Sequence, residues 1–137
     1  MKPLALTMQA FGPFPTQQSI DFTLLGEHPL FLINGATGAG KTTLLDAISF
    51  ALYGETTGQD RAGKQMRCDH AADDCTTEVE FTFAIGTKVY RVMRQPTQHV
   101  LGQRGNTTVE RRTTASLYEL RGEWHSGQSS STMDWHP

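Results

Sequence analysis

The 137 residues carry 12 Lys and Arg against 14 Asp and Glu, a formal net charge of −2, with 37% hydrophobic and 19% charged residues. This is globular composition in a chain long enough for one domain with its own core, which excludes the disordered and fibrous classes. A global basic field is excluded too, so any contact with nucleic acid must come from a local patch or from another protein chain.

Met1-Lys2-Pro3 leads into a short mixed segment rather than the apolar run of about 7–15 residues that a signal peptide needs. No stretch approaches the ~18 apolar residues of a membrane span. Cys68 and Cys75 lie in a polar segment and make no disulfide framework, so a cytoplasmic protein without membrane contact is expected.

Leu4-Ala5-Leu6-Thr7-Met8 predicts a first strand, stopped by the turn cluster Gly12-Pro13-Phe14-Pro15. Ile20, Phe22 and Leu24 alternate with Ser19, Asp21 and Thr23, the pattern of a half-buried second strand. Leu30-Phe31-Leu32-Ile33 is a continuous apolar run, which suits a strand covered on both faces. After the glycines that follow it, Leu44, Leu45, Ile48 and Leu52 recur at helical spacing over residues 41–53, and Gly54 is placed to end that helix. Residues 55–76 are polar and aperiodic and predict a long surface connection. Alternation resumes at Val79, Phe81, Phe83 and Ile85; Gly86-Thr87 then separates this run from Lys88–Met93, the signature of a tight antiparallel hairpin. Residues 96–114 are polar again, Ala115–Leu120 predicts a last short strand, and the patternless residues beyond Arg121 predict a loose tail.

The chemistry sits between the apolar run and the helix. Gly35-Ala36-Thr37-Gly38-Ala39-Gly40-Lys41-Thr42 matches G-x-x-x-x-G-K-[ST], in the strand–loop–helix context that the mechanism requires. Gly35, Gly38 and Gly40 let the backbone curl so that successive N–H groups face a phosphate, and the helix start adds its positive end. Lys41 supplies a mobile charge for the β- and γ-phosphates, and the Thr42 hydroxyl suits a Mg²⁺ ligand. A hydrolytic site of this kind also needs an acid at the end of a second apolar strand. None stands out, Glu78 and Glu80 being inside a strand that starts polar, so half of a hydrolytic site is expected.

Two other features invite weaker readings. Cys68, His70 and Cys75 have the spacing C-x-H-x₄-C, which is not one of the usual zinc pairings, and a polar loop with two thiols is the better account. Arg104, Arg111 and Arg112, with Lys88, Arg91 and Arg94 nearby in sequence, could contact nucleic-acid phosphates, but a solvated hairpin with its usual share of arginines is the better account.

Several segments together resemble the N-terminus of the SbcC family, SMC-like ATPases with ABC-type heads. They are Met1-Lys2-Pro3-Leu4, Gln9-Ala10-Phe11-Gly12-Pro13-Phe14, Ile20-Asp21-Phe22, Leu32 through Ile48, Ala51-Leu52-Tyr53-Gly54-Glu55-Thr56, Met66-Arg67-Cys68-Asp69-His70-Ala71 and Thr77-Glu78-Val79-Glu80-Phe81. The likeness implies an α/β fold of the P-loop NTPase class: an ABC-type N-terminal lobe over residues 1–121, with a mixed or antiparallel sheet around one P-loop helix, and a disordered tail over 122–137. It implies ATP and Mg²⁺ as ligands, with nucleotide contacts from Gly35, Ala36, Thr37, Gly38, Ala39, Gly40, Lys41, Thr42 and Thr43. The stretch around Arg67 would pass near base or sugar, and Thr42 would meet the metal. Its partners would be a C-terminal ATPase lobe across a long coiled coil, a second head in a homodimer, an SbcD-like nuclease, and double-stranded DNA. The signature and the Walker B acid belong to the other lobe, so this chain alone is expected to be inactive. Gly12-Pro13 departs from the arginine-containing turn of many members, which removes the basis for a side-chain contact from that turn. An ABC-transporter-like or other P-loop nucleotide-binding module without a DNA role is the rival reading.

Overall fold

The computed structural model describes residues 1–26, 30–58, 66–101, 108–125 and 133–137. Its elements are β1 (Lys2–Gln9), β2 (Gln18–Asp21), a 3-10 turn (Phe22–Leu25), α1 (Lys41–Tyr53), β3 (Glu78–Ile85), β4 (Lys88–Gln95), β5 (Gln98–Leu101), β6 (Thr108–Arg111), β7 (Thr114–Leu120) and β8 (Trp135–His136). Six strands form one sheet in the order β2-β1-β3-β4-β7-β8, and β5 pairs with β6 in a separate ladder. Every described pairing is antiparallel.

Period-2 alternation decides which face of the sheet is dry. Register places Leu6 opposite Phe81, Met8 opposite Val79 and Val92 opposite Phe81, so these side chains share one face. Helix α1 lies on that face, against β3 and β4. Its buried residues are Thr43, Asp46, Ala47, Phe50 and Ala51, a stripe at i, i+3, i+4, i+7 and i+8. The stripe lies beside the leucine face expected from sequence: Leu44, Ile48 and Leu52 flank the core and Leu45 is exposed. The small Ala47 and Ala51 allow close approach to the sheet, and Phe50 fills the space between. Asp46 is tolerated in the stripe because Thr57 donates to it through both its backbone N–H and its hydroxyl.

Gly54 ends α1 with φ of 82° and an N–H donated to the Phe50 carbonyl. The Arg94 guanidinium reaches over from β4 to the Ala51 and Leu52 carbonyls, at 3.0 and 3.4 Å, so a cation meets the negative end of the helix. The β3–β4 turn has positive φ at Gly86 alone of its two central residues, as a II′ turn uses.

Four segments differ from the sequence expectation. Only Gln18–Asp21 of the second predicted strand is extended; Asp21 then accepts from the Thr23 N–H at 2.9 Å and its hydroxyl at 2.5 Å, which starts the 3-10 turn. Leu30-Phe31-Leu32-Ile33 is not a strand, and Leu30 and Leu32 are 86% and 87% exposed. A strand buried on both faces needs layers packed above and below it, and among the described residues this segment neither pairs with a strand nor is covered. The connection over 55–76 is not all surface: Met66 and Cys68 are buried, tied by backbone bonds from Gly12 N to Met66 O (2.7 Å) and from Cys68 N to Ala10 O (2.9 Å). Within the segment expected to be a loose tail, Trp135 and His136 pair with β7, and the Trp135 ring sits 4.2 Å from the Arg91 guanidinium and edge-on to Trp124.

Candidate nucleotide-binding site

The glycine loop is built by local bonds. Asn34 Oδ1 accepts from the Gly35 N–H at 2.8 Å, and the Ala39 N–H donates to the Ala36 carbonyl at 3.2 Å. Gly38 and Gly40 then take φ of 84° and 81°, a left-handed conformation open to glycine at no steric cost. Gly40 is the N-cap of α1. A Cβ there would lie 2.6 Å from the Phe14 ring. No side chain caps this helix and its first turn carries no acid, so its leading N–H groups and positive end stay available to an anion. Lys41 Nζ folds back over the loop and donates to the Gly35 and Ala36 carbonyls at 2.9 and 2.7 Å.

The loop opens on a cavity of about 620 Å³, a size ordinary for a small-molecule site. Thr37, Gly38, Gly40, Lys41, Thr42 and Thr43 line it, whereas Gly35, Ala36 and Ala39 of the same loop do not. The opposite wall is Gly12, Pro13, Cys68, Asp69 and His70. Gly12 belongs there on steric grounds: with φ of 58°, its Cβ would stand 2.5 Å from the Thr43 methyl. Sequence reasoning marks Gly12-Pro13 as a departure from a family pattern but not as a wall. It does not single out Asp69 and His70 as a pair, although they are the centre of a turn closed by Ala71 N to Cys68 O at 3.1 Å.

Arg67 turns away from this cavity. Its guanidinium donates to the carbonyls of Cys75 (2.5 Å) and Ala72 (2.9 Å) and to the Thr77 hydroxyl (3.3 Å). Cys68 is buried and Cys75 half-buried, and no cluster of three or more His, Cys, Asp or Glu side chains forms among the described residues.

The basic group is not gathered on one face. Arg94 meets the end of α1, whereas Arg91, on the opposite face of β4, is buried against Glu80 at 3.6 Å and the rings of Tyr118 and Trp135. Lys88 pairs with Glu119 at 2.9 Å; this hydrogen bond raises the pKa of the lysine and lowers that of the carboxyl. Arg111, at the end of β6, and Arg112 after it are exposed, and Arg104 lies outside the described residues. No helix among the described residues is long and apolar enough to cross a membrane.

The donor set fits a polyphosphate: an uncapped helix start, two left-handed glycines, a mobile ammonium and a threonine hydroxyl on one cavity. Residues 5–128 match the AAA domain family. Proteins named as the SbcC component of nuclease SbcCD are similar to the chain: that of Vibrio cholerae is 53% identical over 123 residues, 90% of this chain and 12% of the relative. That of Lactococcus lactis is 46% identical over 117 residues, covering 85% and 11%, and that of Treponema pallidum 45% over 95 residues, covering 69% and 9%. The chain thus spans about an eighth or less of the length of these relatives. By its sequence match, its α/β architecture and its glycine-cradled helix start, the chain belongs to the AAA domain family, with the SbcC component of the SbcCD nuclease among its homologues.

Proposed function

We propose that this cavity binds ATP with Mg²⁺ and that the chain is the N-terminal lobe of an ABC-type head in an SbcC-like DNA-processing ATPase. The observation that carries the reading is the uncapped start of α1, cradled by Gly38 and Gly40 beneath Lys41. Backbone N–H groups of residues 38–43 would hold phosphate oxygens, Lys41 would move from the loop carbonyls to the β- and γ-phosphates, and Thr42 would supply its hydroxyl to Mg²⁺. Bound there, the metal would neutralise developing phosphate charge. Asp69 and His70 face the same cavity from the other side.

The relatives' name supports a nuclease of the SbcD type as partner, and a DNA role rather than a transporter one. The exposed Leu30 and Leu32 support a C-terminal lobe that lays further strands against the segment before the loop. A second head and cytoplasmic duplex DNA complete the assembly proposed. With Arg91 buried, Arg94 on the end of α1 and Lys88 paired at the surface with Glu119, this lobe offers Arg111 and Arg112 to DNA phosphates, so most of the DNA affinity would come from the rest of the assembly.

The purified chain should bind ATP and yet release no phosphate above background, because the acid that completes the site would come from the other lobe. A phosphate-release assay on wild type and Lys41→Ala checks this. Lys41-dependent turnover at ordinary enzyme rates would mean that the catalytic acid lies within these residues.

A further inference from the structure

The wall that carries Asp69 and His70 is a loop folded by two successive turns, closed by Ala71 N to Cys68 O (3.1 Å) and by Cys75 N to Ala72 O (2.9 Å). Neither turn has a sheet partner of its own. The first turn is anchored at its start by Cys68 N on Ala10 O (2.9 Å), and the second is drawn back toward the residue that precedes the first by one side chain. Arg67 leaves a backbone bridge with Phe11 and spreads its planar fork across the second turn, one nitrogen on Ala72 O and the other on Cys75 O. The same fork reaches the Thr77 hydroxyl, which passes its own hydrogen to the Ala10 carbonyl at 3.2 Å. Thr77 is fully buried and fixed in turn by Gln98, which accepts from its N–H at 2.6 Å and donates to its carbonyl at 3.0 Å. The anchor is therefore rigid, and swinging Arg67 into the cavity would strip hydrogen bonds from two carbonyls and a buried hydroxyl.

We infer that Arg67 is a positioning residue: it does not touch the nucleotide but holds the 68–75 loop so that Asp69 and His70 form the nucleoside side of the cavity. The inference rests on the nucleotide reading of that cavity. The phosphate side is built by the glycine loop and α1, which Arg67 does not contact. On the far wall stand a carboxylate able to accept from ribose hydroxyls and an imidazole able to stack on a base. Loss of the clamp should consequently weaken nucleosides and spare bare phosphate chains. A contact between Arg67 and phosphate would weaken both.

The test compares ATP with inorganic tripolyphosphate, each with Mg²⁺, by calorimetric titration of the purified 137-residue chain. Arg67→Ala and Arg67→Lys should each lose about tenfold in ATP affinity, as expected when supporting hydrogen bonds of a site are removed, with tripolyphosphate affinity unchanged within error. Retained tripolyphosphate binding also shows that the variant is folded. The double substitution Asp69→Ala, His70→Ala should show the same signature, and adding Arg67→Lys to it should cost nothing more. Equal loss of both probes in Arg67→Lys, unchanged ATP affinity in it, or full additivity with the wall substitutions would overturn the inference. Failure of the wild type to bind either probe would sink the phosphate-loop reading itself, and the clamp with it.

Discussion

Lys41→Ala is expected to lower ATP affinity by roughly a hundredfold, ~3 kcal/mol, the upper range for a hydrogen bond to a charged group. The size follows from position. Lys41 is the first residue of α1, and its ammonium folds over the glycine loop, where a polyphosphate would otherwise meet neutral N–H groups alone. An ammonium on a flexible stem can leave the Gly35 and Ala36 carbonyls for phosphate oxygens without disturbing the fold. Since the side chain contributes little to the core, the thermal midpoint of the variant should match that of the wild type. Titration of a fluorescent ATP analogue decides the matter, and equal affinities would remove Lys41 from the site.

Phe11→Ala should have the largest effect on stability, about 3–5 kcal/mol, as for other fully buried aromatic residues. Phe11 is 0% exposed and packs on Phe50 of α1 with ring centroids 5.8 Å apart. Its backbone also bridges Phe14 on one side and Arg67 on the other. The turn that carries Gly12 to the cavity is therefore held from beneath by this ring. A domain of this size has about 5–15 kcal/mol in total, so the substitution should lower the urea midpoint severely and weaken ATP binding with it. A loss below about 1 kcal/mol would show that the turn is not packed as described.

Lys41 and Phe11 differ in how much of their role the sequence discloses. The glycine loop is readable because its function constrains backbone and side chain locally: four fixed positions, two of them glycines, announce the phosphate cradle without help from the rest of the fold. Strands β1, β3, β4 and β7 are readable because their alternation records one dry face. The apolar run at Leu30–Ile33 misleads for the complementary reason. Its composition reports cover on both faces, which the described residues do not supply. Met66 and Cys68 escape notice because two buried residues in a polar stretch make no period, and their burial is set by backbone bonds to Ala10 and Gly12, far away in sequence. Trp135 escapes likewise, since its place depends on the distant Arg91. Arg67 shows the limit from the other side. The resemblance marks its segment as near the nucleotide, and the side chain there proves to be spent on the loop's own carbonyls.

The nucleotide's anion is expected to seat itself at the start of α1, between the glycine loop and the 68–70 turn. The most direct test is backbone amide mapping by two-dimensional NMR of the isotopically labelled chain, titrated with ATP and Mg²⁺. The largest shifts are predicted at the N–H groups of Gly38, Ala39, Gly40, Lys41, Thr42 and Thr43, smaller ones at Asp69 and His70, and none at β7. Shifts centred on the sheet face away from α1, or none at saturating ATP, would contradict it.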